Sequence, residues 1–154
     1  MQLSLPLAAS GVALALASAQ PAQAAICVLA ALDAIGALGD PAQNHTVMSS
    51  EEGGGSASFT TLVTLGTATV TIAAPNVVYT GPHPHSGDQP EVKRHATDAL
   101  GLFNRQQAYT NQSTSFSING LLVGLVTTAV DGRITNPAGF AQGDYQLKTV
   151  VTCS

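Results

Sequence analysis

Apolar and polar residues alternate with a period of two over much of the chain, which is the pattern of half-buried strands rather than helices. Between Phe59 and Ile72, Leu62, Ala68, Val70 and Ile72 share one parity, and Phe59, Val63 and Leu65 share the other. The apolar face therefore changes around Leu65-Gly66, where a bulge or a bend between two strands is expected. Asn76 to Thr80 forms another short strand. Ser113 to Ile118 turns Phe116 and Ile118 inward. Asn119-Gly120 then supplies a type I′ turn, and Leu121 to Val130 is expected to return as the hairpin partner. Asp131-Gly132 repeats the device, so that Arg133 should open a further strand. In Asp144 to Cys153, the residues Tyr145, Leu147, Thr149, Val151 and Cys153 fall on one face, with Gln146, Lys148 and Thr152 on the other.

The remaining segments are less regular. Cys27 to Asp40 is compatible with an Ala-rich helix or a buried strand; Gly36 and Gly39 disfavour the helix, and a strand over Ile26 to Ala30 is preferred. Glu51 to Ser58, with three glycines in series, is expected to be a flexible linker. Gly81 to His95 is expected to be a polar, Pro-containing loop, and Ala96 to Gln107 a short helix ending near Arg105. About seven short strands separated by turn chemistry predict an all-β, two-sheet sandwich.

The N-terminus stands apart from this pattern. Leu3 to Ala19 is an uncharged Leu/Ala-rich run, followed by Gln20-Pro21 and the small-x-small tripeptide Ala22-Gln23-Ala24. A secretory signal peptide over residues 1–24 is expected, leaving residues 25–154 as one β-sandwich domain. Cleavage after Ala19 and a retained N-terminal helix are the alternatives. On the first reading Cys27 is the third residue of the mature chain and Cys153 the penultimate one. In an oxidising compartment two thiols at opposite chain ends pair most simply with each other, bridges between chains being the alternative. Closing a loop of about 125 residues stabilises by roughly 4–5 kcal/mol in the chain-entropy model, as an upper figure.

Composition narrows the function. The 154 residues include five Lys/Arg and nine Asp/Glu, so charged residues make up 9% of the chain, against about 25% in an average soluble protein. A net charge of −4 with no basic cluster makes nucleic acid an unsuitable partner, and the apolar content is too high for a disordered chain. Asp88, Glu91, Lys93, Arg94 and Asp98 fall close together, so the rest of the chain is poorer still in charge.

Candidate chemistry lies in and just before that stretch. His83-Pro84-His85 has the i, i+2 spacing that puts two imidazoles on one face of an extended segment, with Asp88 and His95 within reach of a folded loop. Imidazole and carboxylate suit Zn, and imidazole suits Cu, so His83, His85, Asp88 and His95 are the candidate ligand or metal loop. His45 joins them only if the fold brings it there. The competing reading is a solvated loop with no cofactor. There is no Gly-x-Ser-x-Gly elbow and no His-Glu-x-x-His, and the glycine run at Gly53 lacks a following Gly-Lys-Ser/Thr, so an enzyme is not expected.

Cys27-Val28 through Leu32-Asp33-Ala34-Ile35-Gly36-Ala37-Leu38-Gly39-Asp40, together with the closing Gly143-Asp144-Tyr145-Gln146-Leu147-Lys148-Thr149-Val150-Val151, resembles the spore coat protein U family and related secreted pilin-type domains. The resemblance covers about a fifth of the chain after the leader, in motifs of low specificity. It implies an Ig-like or pilin-like sandwich exported to the bacterial surface or periplasm and assembled with copies of itself or with other surface subunits. The expectation is a structural or adhesive surface protein with no membrane span after the leader. The alternative is a monomeric secreted binding module that uses the 81–95 loop.

Overall fold

A computed structural model describes residues 25–40 and 45–154. The expected signal peptide lies outside them. Every regular element among the described residues is a strand. These are β1 (Ile26–Asp33), β2 (Val47–Ser49), β3 (Ala57–Thr64), β4 (Thr67–Ile72), β5 (Asn76–Thr80), β6 (Gln89–Thr97), β7 (Asn104–Thr110), β8 (Thr114–Asn119), β9 (Leu125–Thr135), β10 (Asp144–Lys148) and β11 (Val151–Cys153). The fold is all-β, as the alternation predicts, with eleven strands in place of about seven.

One layer is a six-stranded sheet in the order β1-β3-β9-β6-β7, with β2 also paired to β9. The facing layer holds β11-β4-β8 and the ribbon β10-β5. These two are parts of one bent ladder, because Ile72 pairs with Val151 and, after the bend, Asn76 pairs with Lys148. Ala73, Ala74 and Pro75 make the bend on one side, and Pro75 has no N–H to continue the ladder. Across from it, Thr149 Oγ1 donates to Ala73 O at 2.6 Å and Ala73 N donates to Val150 O at 2.8 Å.

The change of face predicted at Leu65-Gly66 is present. Thr61 and Val63 point inward before it, and Ala68, Val70 and Ile72 after it. Leu65 and Gly66 both have positive φ, 58° and 77°. The chain does not fold back on itself there, but crosses from β3 in the six-stranded sheet to β4 in the facing layer.

Five local expectations are corrected. β8 and β9 are not a hairpin: β8 pairs with β4, and β9 with β3 and β6. Asn119 Oδ1 accepts from Leu121 N at 3.0 Å in a side-chain-closed turn that carries the chain between layers. Gly120 is required there by close approach, since a Cβ would lie 2.7 Å from Val63 O. Asp131-Gly132 is not a turn but the middle of β9, held on both sides by partners distant in sequence. The loop expected over Gly81 to His95 ends at Asp88, and Gln89 to His95 belong to β6. The helix expected over Ala96 to Gln107 is absent; Ala96 and Thr97 end β6, and β7 begins at Asn104. Pairing with β9 and with each other decides the state of this polar segment, and local propensity does not. Glu51 to Ser56, expected to be flexible, is tied down by the Ala37–Gly55 bridge, and Ala57 and Ser58 lie in β3.

The main core lies between the layers. Val63, Ala68, Val70, Ala96, Phe103, Phe116, Ile118 and Val126 are buried together, and Cys27 and Cys153 pack against them. The Cys27–Cys153 disulfide forms as expected, with a Cα–Cα distance of 6.1 Å, and staples β1 of one layer to β11 of the other. A smaller cluster of Ile72, Val92 and Val130 follows along the sandwich.

Candidate functional site

Loop 81–88 connects β5 to β6, and its polar groups converge on Asn136, which follows β9 and is 1% exposed. Asn136 Nδ2 lies 2.9 Å from Asp88 Oδ1, 3.1 Å from Ser86 O and 3.2 Å from His85 Nε2. The amide has only two hydrogens, and the two oxygens take them. His85 Nε2–H then donates to Asp88 Oδ1, 2.9 Å away. Asn136 Oδ1 accepts from Ala138 N at 2.9 Å.

An aromatic cluster surrounds the imidazole. Tyr79 and Tyr145 have ring centroids 5.1 and 5.4 Å from His85, and Phe140 packs on Tyr145 at 5.1 Å. Tyr145 OH donates to Ala141 O, and burial raises the Tyr145 phenol above its ordinary pKa. Of the candidate ligand residues, the fold thus brings together His85 and Asp88. His83 is exposed at the loop tip, and His95 is exposed on β6. His45 pairs instead with Asp40, Nδ1 to Oδ2 at 3.0 Å. Among the described residues no three His, Cys, Asp or Glu side chains are grouped to hold a metal ion. The His85–Asp88–Asn136 arrangement braces the loop against the end of β9.

Beside this cluster the two layers part. A cleft of about 730 Å³ opens between β10 and the inner face of the six-stranded sheet, lined by Leu38, Met48, Val92, Val130, Tyr145 and Leu147. A smaller hollow of about 260 Å³ shares Ala57 and Val130 with it and reaches Leu29 on β1. The volume of the cleft lies in the range of small-molecule sites, about 300–1,000 Å³.

The outer face of the six-stranded sheet divides into two halves. On the β6-β7 side, Glu51 pairs with Lys93 and accepts from Tyr109 OH at 2.9 Å, while Arg133 Nη2 donates to Glu91 at 2.6 Å. The Arg133 guanidinium also stacks 4.2 Å over the Tyr109 ring. The bonds from Lys93 and Tyr109 hold the Glu51 carboxyl below the usual carboxylate range. Burial, chiefly, pushes the Tyr109 phenol up to about 12. Near the β1 edge the same face is apolar: Val28 lies opposite Leu62, and Leu62 opposite Leu125, at 50%, 41% and 54% exposure.

Sequence patterns did not single out Asn136 or the Glu51-Lys93-Tyr109-Arg133 group. The segment Asn136-Pro137-Ala138-Gly139 carries a recognisable turn signal. The charged group is assembled from four separate segments and has no local signature. The molecule belongs, by its fold, to the disulfide-linked all-β sandwiches. Comparison with protein-family models, with curated protein sequences and with solved structures found no match to this chain.

Proposed function

We propose that the protein is an exported structural or adhesive β-sandwich of the cell surface or periplasm, acting through contacts of its strand edges and sheet faces with other subunits. The observation that carries this reading is the margin formed by β1 and the Val28-Leu62-Leu125 row, an edge unpaired among the described residues, with one charged residue beside exposed apolar side chains. Edges of this kind template pairing with another chain. The Cys27–Cys153 disulfide supports the oxidising location the reading requires. Of the implied relatives, a pilus or coat-like subunit of the spore coat protein U kind fits the reading best.

A binding module is the second reading. The cleft beside Tyr145 and Leu147 supports it better than His83, His85, Asp88 and His95 do, since His85 and Asp88 are bonded to each other and Asn136 donates to Asp88. Cell fractionation with thiol trapping tests the main reading. Export with both cysteines oxidised and accessibility to surface protease are expected; a cytosolic protein with two free thiols would overturn it. Size-exclusion chromatography with and without Zn or Cu separates the readings, because a monomer whose melting temperature rises with metal favours the binding module.

A further inference from the structure

The two margins of the six-stranded sheet differ in a way that selects a partner. β7, at one margin, exposes Asn104, Arg105 and Gln106, and its ladder with β6 shifts register between Val92 and Arg94. A charge and a register break are the devices that blunt an edge against further pairing. β1, at the other margin, reads Ile-Cys-Val-Leu-Ala-Ala-Leu-Asp, without Pro, Gly, Lys or Arg. Its register with β3 is regular from Ile26 to Ala31, and the one shift lies beyond, between Ala31 and Asp33. Among the described residues no strand pairs with its outer side.

The direction of the strands then fixes the geometry. Four antiparallel steps separate β1 from β7, so the two margins run the same way. A copy placed by translation would lay β7 beside β1 in parallel, whereas every ladder among the described residues is antiparallel. With the outer faces of both sheets kept on one side, only a copy related by a two-fold axis normal to the sheet gives β1 an antiparallel partner, and that partner is β1 itself. Charge permits it. Asp33 lies at one end of β1, so the two copies of Asp33 fall at opposite ends of the seam, on the order of 20 Å apart at a rise of about 3.3 Å per residue and beyond the Debye length of about 8–10 Å. The acidic groups Glu51 and Glu91 lie on the other half of the outer face, paired with Lys93 and Arg133.

We propose that β1 docks on β1 of a second copy, antiparallel about a two-fold axis, to give a closed dimer whose six-stranded sheets join across the seam. The apolar row Val28-Leu62-Leu125 runs up to the seam on the outer face and continues into the same row of the partner. The blunted β7 margins end the assembly at two copies. The inference rests on the preceding reading only in taking strand edges as the contact surface, and it commits that surface to self-association and to closure.

Light scattering behind size-exclusion chromatography of the full oxidised chain, over a hundredfold concentration range, tests it. A monomer–dimer equilibrium without higher species is expected. Val28→Lys and Val28→Glu each place like charges at the seam and should weaken the dimer at least tenfold, and mixing the two should restore it as a heterodimer. Restoration on mixing shows that both variants are folded. Arg105→Glu on β7 should change nothing. In hydrogen exchange, the alternate amides of Ile26 to Ala31 that point away from β3 should gain protection as concentration rises. A monomer with those amides protected at every concentration, an open ladder of oligomers, or a dimer indifferent to Val28→Lys would each overturn the proposal. A surface-located monomer would overturn the dimer alone, and a cytosolic dimer only the surface assignment.

Discussion

Arg94 lies on the inner face of β6, 6% exposed, between two layers joined mainly by apolar side chains. Its Nη2 donates to Ser115 O at 3.3 Å, and the guanidinium lies 4.5 Å from the Phe116 ring centroid. Nε and Nη1 have no partner among the described residues. Burial lowers the guanidinium pKa, the direction expected when a charge leaves water. The predicted perturbation is Arg94→Met, which keeps an unbranched chain against Phe116 and removes the charge. The substitution gives up one long charged hydrogen bond, about 1.5–3 kcal/mol at good geometry, and a cation–π interaction of about 0.5–2 kcal/mol. It also relieves the cost of holding a charge with two unpaired donors away from water, several kcal/mol after relaxation. The balance favours methionine, by about 1–3 kcal/mol. Guanidinium unfolding of the oxidised chain should show a higher midpoint with an unchanged m-value. A loss of 2 kcal/mol or more would refute the reasoning and mean that the guanidinium is satisfied by water within the sandwich.

Four further outcomes can be measured. Replacing both Cys27 and Cys153 with Ala should cost up to about 5 kcal/mol, the chain-entropy value for a closed loop of this length, read as a fall in the denaturant midpoint; an unchanged midpoint would mean that the disulfide constrains nothing. Asn136→Ala strips Ser86 O of its side-chain donor and leaves Asp88 with His85 alone, and should destabilise by about 2–3 kcal/mol, with faster proteolysis in loop 81–88 than elsewhere. In an ultraviolet pH titration one of the three tyrosines should ionise near pH 12 and disappear in Tyr109→Phe. Because the folded value is raised, this group's contribution to stability is complete below pH 10 and is lost as pH climbs towards 12. Glu51 acts in the opposite sense, its contribution being present above the ordinary carboxylate range and lost as pH falls through its lowered value. Finally, Gly132→Ala on β9 would place a methyl 3.5 Å from Leu147 Cδ1 at the cleft wall, an ordinary contact. It should stabilise by about 0.5–1 kcal/mol, whereas Gly120→Ala should destabilise through its clash with Val63 O.

The amino-acid order alone determined whatever depends on neighbours one or two residues apart. Period-two alternation gave the all-β class, the change of face at Leu65-Gly66, the strand Asn76–Thr80 and the inward parity of Tyr145 to Cys153, because strand side chains point alternately to the two faces whatever they pair with. The placement of two cysteines at opposite ends likewise foretold their bridge. Asn119-Gly120 correctly marked a turn, but no local signal says whether the chain after a turn pairs with the strand before it or crosses to another layer. That choice belongs to β4, β3 and β6, tens of residues away, and it turned an expected hairpin into a crossing. The same distant pairing drew Asp131-Gly132 into the middle of a strand and made strands of segments expected as a loop and a helix. It also divided Lys93 from Arg94: adjacent in sequence and alike in charge, they point to opposite faces of β6, one into an ion pair at the surface and the other into the core. The loop histidines show the limit most plainly. Their spacing was legible, but the buried amide of Asn136 that occupies Asp88 came from the far end of β9, so only the tertiary structure could decide that the loop is braced.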